Sequence, residues 1–127
     1  MRNIYLVDQY QTVHNQLYFS LNDNDQEIQI QPGGQVLADS DHLAFIYVVE
    51  EGDGYSYLRF PKDIWKVLVD VIKTKEDPFL TLGNETIQLN NFATELEMLI
   101  FNIEGNGNYG NDFVEAVEEE FQAILAD

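Results

Sequence analysis

Alternating apolar and polar residues dominate the first third of the chain, and this pattern predicts β-strands. Apolar side chains recur at every second position through much of Asn3–Val13 and Gln16–Leu21, and again in Glu27–Gln31, which is the period of a half-buried strand. Asn22–Asp25 contains only Asn and Asp, residues that favour turns because their side chains bond the nearby backbone. Pro32-Gly33-Gly34 is predicted to end the third of these strands.

A strongly apolar hairpin is predicted next. Leu43–Val49 is apolar without interruption, which is typical of a strand covered on both faces. Glu51–Gly54 supplies the turn, and Tyr55–Phe60 forms the returning strand. Phe79–Leu82 and Thr86–Leu89 indicate a second, shorter hairpin later in the chain.

Three other segments have the three-to-four-residue apolar period of a helix, namely Lys62–Lys75, Phe92–Ile103 and Phe113–Leu125. Asn91 is placed to cap the second helix, and Asp112 begins a capping-box spacing for the third. Strands grouped before helices favour an α+β fold. We therefore predict a single domain over residues 1–127, with a mostly antiparallel sheet of about five to seven short strands and three helices packed on one face.

Composition narrows the environment. Hydrophobic residues make up 45% of the chain and there is no cysteine, so the chain can form a core, and disulfide or thiolate chemistry is excluded. The apolar run near the N-terminus, Ile4–Val7, is shorter than that of a signal peptide, so we expect none, and no stretch approaches about 18 apolar residues. We expect a cytoplasmic protein that does not insert into a membrane.

Charge is the most distinctive property of the chain. Six Lys and Arg residues against 23 Asp and Glu residues give a formal net charge of −17. The last basic residue is Lys75, and 12 acidic residues lie from Glu76 to Asp127. Such a surface repels phosphate groups and anionic lipid, so we predict no direct binding of nucleic acid or membrane. A basic protein partner and a homodimer remain compatible with it, and a role in solubility alone is the alternative interpretation.

The segment Gly105–Gly110 has the spacing G-x-G-x-x-G of a dinucleotide-binding loop. It follows a helical pattern rather than a strand, however, and no Lys or Arg comes after it, which favours an ordinary connection between helices. Its Asn106, Asn108 and Tyr109, with Asp112, form a candidate binding set of polar side chains. Oxygen ligands could bind Ca²⁺ weakly, but EF-hand spacing is absent and we predict no dedicated metal site.

A second candidate lies at Asp39-Ser40-Asp41-His42, directly before the apolar strand. Asp39 or Asp41 could act with His42 as a general base. The alternative is a solvated turn in which His42 bonds a neighbouring carboxylate. With two histidines and no cysteine, no catalytic set is complete, and we predict no cofactor and no transition-metal site.

Aromatic residues supply the third candidate. Tyr57, together with Tyr47, Tyr55 and Trp65, lines either an exposed aromatic face for a partner or ordinary core and edge packing.

Four stretches resemble a small family of uncharacterised proteins from low-GC Gram-positive bacteria, the YjbL-like family. They are Gly34–Phe45 (GQVLADSDHLAF), Tyr55–Leu58 (YSYL), the helix around Trp65, and Asn102–Gly110 (NIEGNGNYG) leading into Phe113-Val114. The similarity covers most of the chain from Gly34 onward. It implies a cytoplasmic bacterial protein of unknown function and carries over no activity and no catalytic residues.

Two main functional hypotheses follow. The first is a non-enzymatic interaction or adaptor module whose acidic surface meets a basic partner. The second is a small ligand-binding or enzymatic domain that uses carboxylates and tyrosines near Asp39–His42 or the Gly105–Gly110 loop, and it requires a concave apolar pocket there. Mimicry of nucleic-acid charge is a third, smaller alternative.

Overall fold

The computed structural model describes residues 3–21 and 28–126, and within them a seven-stranded sheet and four α-helices confirm the α+β class. The strands are β1 (Ile4–Val13), β2 (Gln16–Leu21), β3 (Gln31–Asp39), β4 (Ala44–Glu51), β5 (Gly54–Pro61), β6 (Phe79–Leu82) and β7 (Glu85–Gln88). The helices are α1 (Trp65–Thr74), α2 (Phe92–Ile103), α3 (Asn111–Glu120) and α4 (Gln122–Leu125).

The sheet is mixed, which corrects the expectation of a mostly antiparallel one. Its strand order is β3-β4-β5-β1-β2-β6-β7. Pairs joined by a short turn are antiparallel, but β1 pairs with β5 and β2 pairs with β6 in parallel. The alternating pattern shows which side of a strand is buried but not which distant strand lies beside it, so these two parallel contacts were not predictable from it.

The glycine pair in the third strand does not end it, contrary to our expectation. β3 begins at Gln31 and runs through Pro32-Gly33-Gly34, with a register irregularity between Pro32 and Gln35. A Cβ on Gly33 would lie 2.4 Å from the Val48 carbonyl oxygen, and Gly34 has a φ of 82°, so both positions require glycine. Pro32 is tolerated because β3 is an edge strand.

Two further predictions concern the residues just before β3. Residues 28–30 form no strand, although Ile30 is buried in the core. The predicted turn Asn22–Asp25 and the first residue of the predicted strand, Glu27, lie outside the described residues.

The core lies between one face of the sheet and the helices. We call this the inner face, and the opposite one the outer face. Phe45 of β4 contacts Trp65 of α1 at a ring-centroid distance of 4.9 Å and Phe113 of α3 at 5.7 Å. Phe60 of β5 contacts Phe92 of α2 at 5.1 Å. Aromatic side chains of this size dominate core burial, so they fix the three longer helices on the inner face.

Helix ends differ from the prediction in three places. A 3₁₀ turn, Lys62–Ile64, precedes α1. The N-cap of α3 is Gly110 and no side chain caps it, so the predicted capping box beginning at Asp112 is wrong. The predicted last helix is interrupted at Phe121, which separates α3 from the short α4. Among the described residues, no helix has the length and apolar content needed to cross a bilayer.

Candidate functional site

Asp39 stands at the end of β3, where its carboxylate has two cationic or polar neighbours. One oxygen accepts a hydrogen bond from the Arg59 Nε at 3.1 Å, and the other lies 2.9 Å from His42 Nδ1. His42 and Asp41 are exposed in the 3₁₀ turn between β3 and β4. The structure therefore brings Asp39 and His42 together as predicted, but the Arg59 ion pair occupies the carboxylate that a general base would need free.

The Gly105–Gly110 loop connects α2 to α3 and is closed by its own hydrogen bonds. Asn106 Oδ1 accepts from the Asn108 backbone N–H at 3.1 Å, and the Tyr109 hydroxyl accepts from Asn102 Nδ2 at 2.8 Å. The backbone N–H of Gly105 donates to a Glu118 carboxylate oxygen at 2.8 Å. A phosphate would need such N–H groups unoccupied, and here one of them is already bound to a carboxylate.

Asp112 and Tyr109 lie on opposite sides of Gly110. Asp112 is exposed in the first turn of α3, while Tyr109 is half-buried with its ring centroid 6.4 Å from that of Phe113. Tyr109 thus serves as the packing contact of the loop, and Asp112 faces solvent.

The four aromatic residues of the third candidate separate between core and surface. Tyr47 and Trp65 are fully buried, which supports the core-packing alternative for these two residues rather than an exposed aromatic face. Tyr55 is exposed and Tyr57 is half-buried, and both belong to the outer face of β5. The backbone N–H of Tyr57 also donates to the Asn3 carbonyl at 2.9 Å, which fixes β1 beside β5.

A cleft of about 730 Å³ lies between the β1–β2 hairpin, the end of α1 and the start of β6. None of the sequence-predicted site residues lines it. Its apolar and acidic lining residues are Leu17, Val67, Val71, Pro78 and Phe79, and Asp70, Glu76 and Asp77. Its volume falls within the range of small-molecule sites, but its lining comes from four separate segments, so no local motif could have indicated it.

Asp77 links this cleft to the framework of α2. Its two carboxylate oxygens accept from the backbone N–H groups of Asn91 at 3.0 Å and Ala93 at 2.9 Å. These are orphan donors of the helix N-terminus. Asn91 itself makes no side-chain capping bond, so the cap comes from a residue outside the helix rather than from the predicted position.

Tyr47 connects the same helix start to the bulge of β3. Its hydroxyl donates to the Asn90 carbonyl at 2.7 Å and accepts from the Gly34 N–H at 3.2 Å. Burial raises the pKa of Tyr47 to about 12, because the phenolate would lose its hydration there. The neutral hydroxyl is therefore a structural link between strand and helix.

A second polar cluster surrounds Glu51, the last residue of β4. Its carboxylate accepts from Ser56 Oγ at 2.5 Å and from the Tyr5 hydroxyl at 2.8 Å. The Ser56 hydrogen bond lowers the pKa of Glu51, and burial followed by the Glu51 contact raises the pKa of Tyr5. Tyr5 and Ser56 both donate to Glu51, so the cluster fastens β1 to the β4–β5 hairpin.

Helix α2 exposes two large apolar side chains that sequence analysis missed. Met98 is 59% exposed and Phe101 is 46% exposed. The three-residue spacing places them together on the face opposite the buried stripe of Phe92, Leu96 and Ile100. We call Met98 and Phe101 the α2 patch. The sequence contained a sign of this patch, because Met98 and Phe101 are apolar but fall outside the stripe that faces inward.

No cluster of three or more His, Cys, Asp or Glu residues within the described part of the chain has a geometry that could hold a metal ion.

A family model described as a family of unknown function, UPF0738, matches residues 5–121. A UPF0738 protein of Lysinibacillus sphaericus is 51% identical over 127 residues, which is all of both chains. A relative from Bacillus cytotoxicus is 34% identical over 95% of this chain and 99% of its own, and the UPF0738 protein YjbL of Bacillus subtilis is 38% identical over 75% and 78%. The similarity extends well before Gly34. No solved structure matches with significance.

Proposed function

Since the chain belongs to the UPF0738 family, whose function is unknown, we propose that it is a non-enzymatic, cytoplasmic interaction module that binds a basic protein segment through helix α2. The observation that carries the proposal is the α2 patch, because it combines exposed apolar side chains with a border of carboxylates. Large apolar anchors surrounded by polar groups are typical of binding sites for protein partners.

The border follows from helix geometry. At 100° per residue, Glu97 lies along one side of the α2 patch and Glu95 along the other, and Glu104 follows at the C-cap of the helix. No Lys or Arg follows Lys75 in the sequence, so nothing on α2, α3 or α4 neutralises these carboxylates with a basic side chain. A complementary segment would present apolar residues between lysines or arginines.

Charge and apolar contact have separate parts in this proposal. Charge complementarity speeds encounter and rejects acidic partners, while buried apolar anchors hold the complex together. Binding should therefore depend on both salt concentration and the two α2 side chains, whereas nonspecific attraction to an acidic protein would depend on salt alone.

Affinity capture from native lysate tests the proposal, with the bound proteins identified by mass spectrometry. We expect specific proteins at about 50 mM salt that are largely lost at about 500 mM, because the Debye length shortens to a few ångströms. The Met98→Ala/Phe101→Ala double variant should lose them at low salt as well. Leu6→Ala, which removes a similarly exposed apolar side chain from β1, is the matched control and should retain them.

Two results would contradict this function. One is an identical set of captured proteins for the double variant and the wild type. The other is capture that is unaffected by salt, because the carboxylate border would then contribute nothing.

The cleft supports a second candidate function, the binding of a small molecule. It supplies apolar walls and a few polar groups, as such sites do, although it lies away from both places that sequence analysis favoured. A thermal-shift screen against metabolites tests it, with Val67→Trp filling the cleft from a partly exposed position of its wall. A ligand that stabilises the wild type but not the filled variant would support this function, and a screen without any such ligand would count against it.

A further inference from the structure

The outer face of the sheet is nearly free of charge, unlike the rest of this protein. Residues paired in a β-ladder share a face, so the observed register assigns each strand residue to one side. Within residues 3–21 and 28–126, the charged residues that register places outward are Asp39, Glu50 and Arg59. Asp8 sits in the bulge between Val7 and Gln9 and is outside that register.

Neutral residues occupy the remaining outward positions. Glutamine recurs there, at Gln9, Gln11 and Gln16 on β1 and β2, and the other positions hold mainly aliphatic, aromatic and hydroxyl side chains. Asp39 is neutralised by its ion pair with Arg59. A chain with a net charge of −17 therefore presents one extended surface on which charge is almost balanced.

The centre of this surface also exposes apolar groups. Ile4 is 50% exposed and Leu6 is 42% exposed on β1, and Tyr55 of the adjacent strand β5 is 53% exposed. Depletion of charge together with exposed aliphatic and tyrosine side chains is the composition of an interface centre.

We propose that the outer face, centred on β1 and β5, binds the same face of a second copy of this chain. The argument for this occupant is electrostatic. Two like-charged copies repel each other through any acidic surface, including the carboxylate border of the α2 patch, whereas the strand register places only Asp39, which is paired with Arg59, and Glu50 as carboxylates on the outer face. A basic partner would gain nothing from this face and would bind elsewhere.

The available area sets the strength of the dimer. The outward side chains Ala44, Ile46 and Val48 of β4 are already buried, so the exposed part of this face is formed by the adjacent strands β5, β1 and β2. Three strands spaced about 4.8 Å apart and roughly 20 Å long span on the order of 300 Å² in projection. Two such faces bury about 600 Å² in total, so we expect a weak, transient dimer rather than an obligate one.

Sedimentation equilibrium of the full chain from about 1 to about 500 µM tests the proposal. We expect the wild type to shift from the 14.6 kDa monomer toward twice that mass as concentration rises. Leu6→Glu should weaken association at least about tenfold, since an isologous contact meets the new charge twice. Gln122→Glu adds the same charge at an exposed position on α4, outside both proposed surfaces, and should leave association unchanged. Ile4→Glu, at the first residue of β1, is the second outer-face variant if circular dichroism shows that Leu6→Glu does not fold.

Salt separates this dimer from the binding proposed for α2. Self-association of like-charged copies should strengthen as salt screens their repulsion, whereas binding of a basic segment should weaken. A wild type that stays monomeric over the whole concentration range would overturn the dimer. So would equal weakening by Leu6→Glu and Gln122→Glu, because the effect would then come from net charge rather than from the outer face.

Discussion

The two faces of the sheet differ in what their side chains contact. On the inner face, aromatic residues such as Phe45 and Phe60 are completely buried against helices, and the hydroxyl of Tyr47 has two hydrogen-bond partners. On the outer face, Ile4 and Leu6 keep about half of their surface in contact with water. The inner face therefore supplies the burial that stabilises the fold.

Because the two faces differ in this way, stability and association can be changed separately by substitutions on different faces of the sheet. Apolar residues that are half-exposed contribute little to folding, and single exposed ones are common. What distinguishes the outer face is that its exposed apolar groups coincide with a lack of charge in a very acidic chain. Substitutions on the inner face should report on folding, and those at the exposed outer-face positions of β1 and β5 on association.

The largest expected effect is at Trp65. Trp65→Ala removes a buried ring that contacts Phe45 and Phe121 and donates to the Phe60 carbonyl, so the free energy of unfolding should fall by about 3–5 kcal/mol. Urea unfolding followed by circular dichroism measures it, at a protein concentration too low for association. Leu6→Ala on the outer face should cost less than about 1 kcal/mol. Similar losses for the two variants would refute the contrast between the faces.

A smaller effect is expected from two tyrosines on opposite faces. Tyr47→Phe leaves the Gly34 N–H and the Asn90 carbonyl without their partner, and should cost about 1–3 kcal/mol. Tyr55→Phe on the outer face should cost nothing measurable, because its hydroxyl is in an exposed position.

The variants Tyr47→Phe and Tyr55→Phe should also differ in how stability depends on alkaline pH. Burial holds the pKa of Tyr47 at about 12 in the folded state, above its ordinary 10.0. Between those values the unfolded chain loses this proton and the folded chain keeps it, so stability is complete below pH 10 and decreases as pH rises toward 12. Tyr47→Phe should flatten this decrease in urea midpoints, and Tyr55→Phe should leave it intact. An unchanged alkaline profile in Tyr47→Phe would show that other groups cause it.

Local patterns were sufficient for most elements. The strands Gln16–Leu21 and Phe79–Leu82 and the helix Phe92–Ile103 have the predicted ends, since each is bounded by residues with strong local preferences. The glycine pair of β3 was misinterpreted because glycine can end a strand or permit a close approach within it. The distinction depends on Val48, which is more than ten residues away.

The candidate surfaces were harder to predict from the sequence than the strands and helices, because they also depend on residues that are distant along the chain. The neutral outer face becomes apparent only when strand order and register assign Gln9, Gln11 and Arg59 to one side. The proximity of Asp39 and His42 was predictable because the two are three residues apart. The ion pair between Asp39 and Arg59, which occupies the carboxylate of the proposed general base, joins two strands and could not be predicted from local sequence.

The smallest expected effect concerns the cap that Asp77 supplies to α2, the helix that carries the α2 patch. Asp77→Ala removes acceptors from the Asn91 and Ala93 N–H groups at the start of α2, and loss of a cap costs about 0.5–2 kcal/mol. Asp70→Ala is the matched control, because Asp70 lines the same cleft on an exposed face of α1 and has no capping role. Urea midpoints should fall for Asp77→Ala alone, and hydrogen exchange should quicken in the first turn of α2. If the patch depends on this support, Asp77→Ala should also weaken capture of basic partners without changing the monomer–dimer equilibrium. Equal effects of both substitutions would mean that acidic charge in the cleft, rather than the cap, determines the stability of the helix.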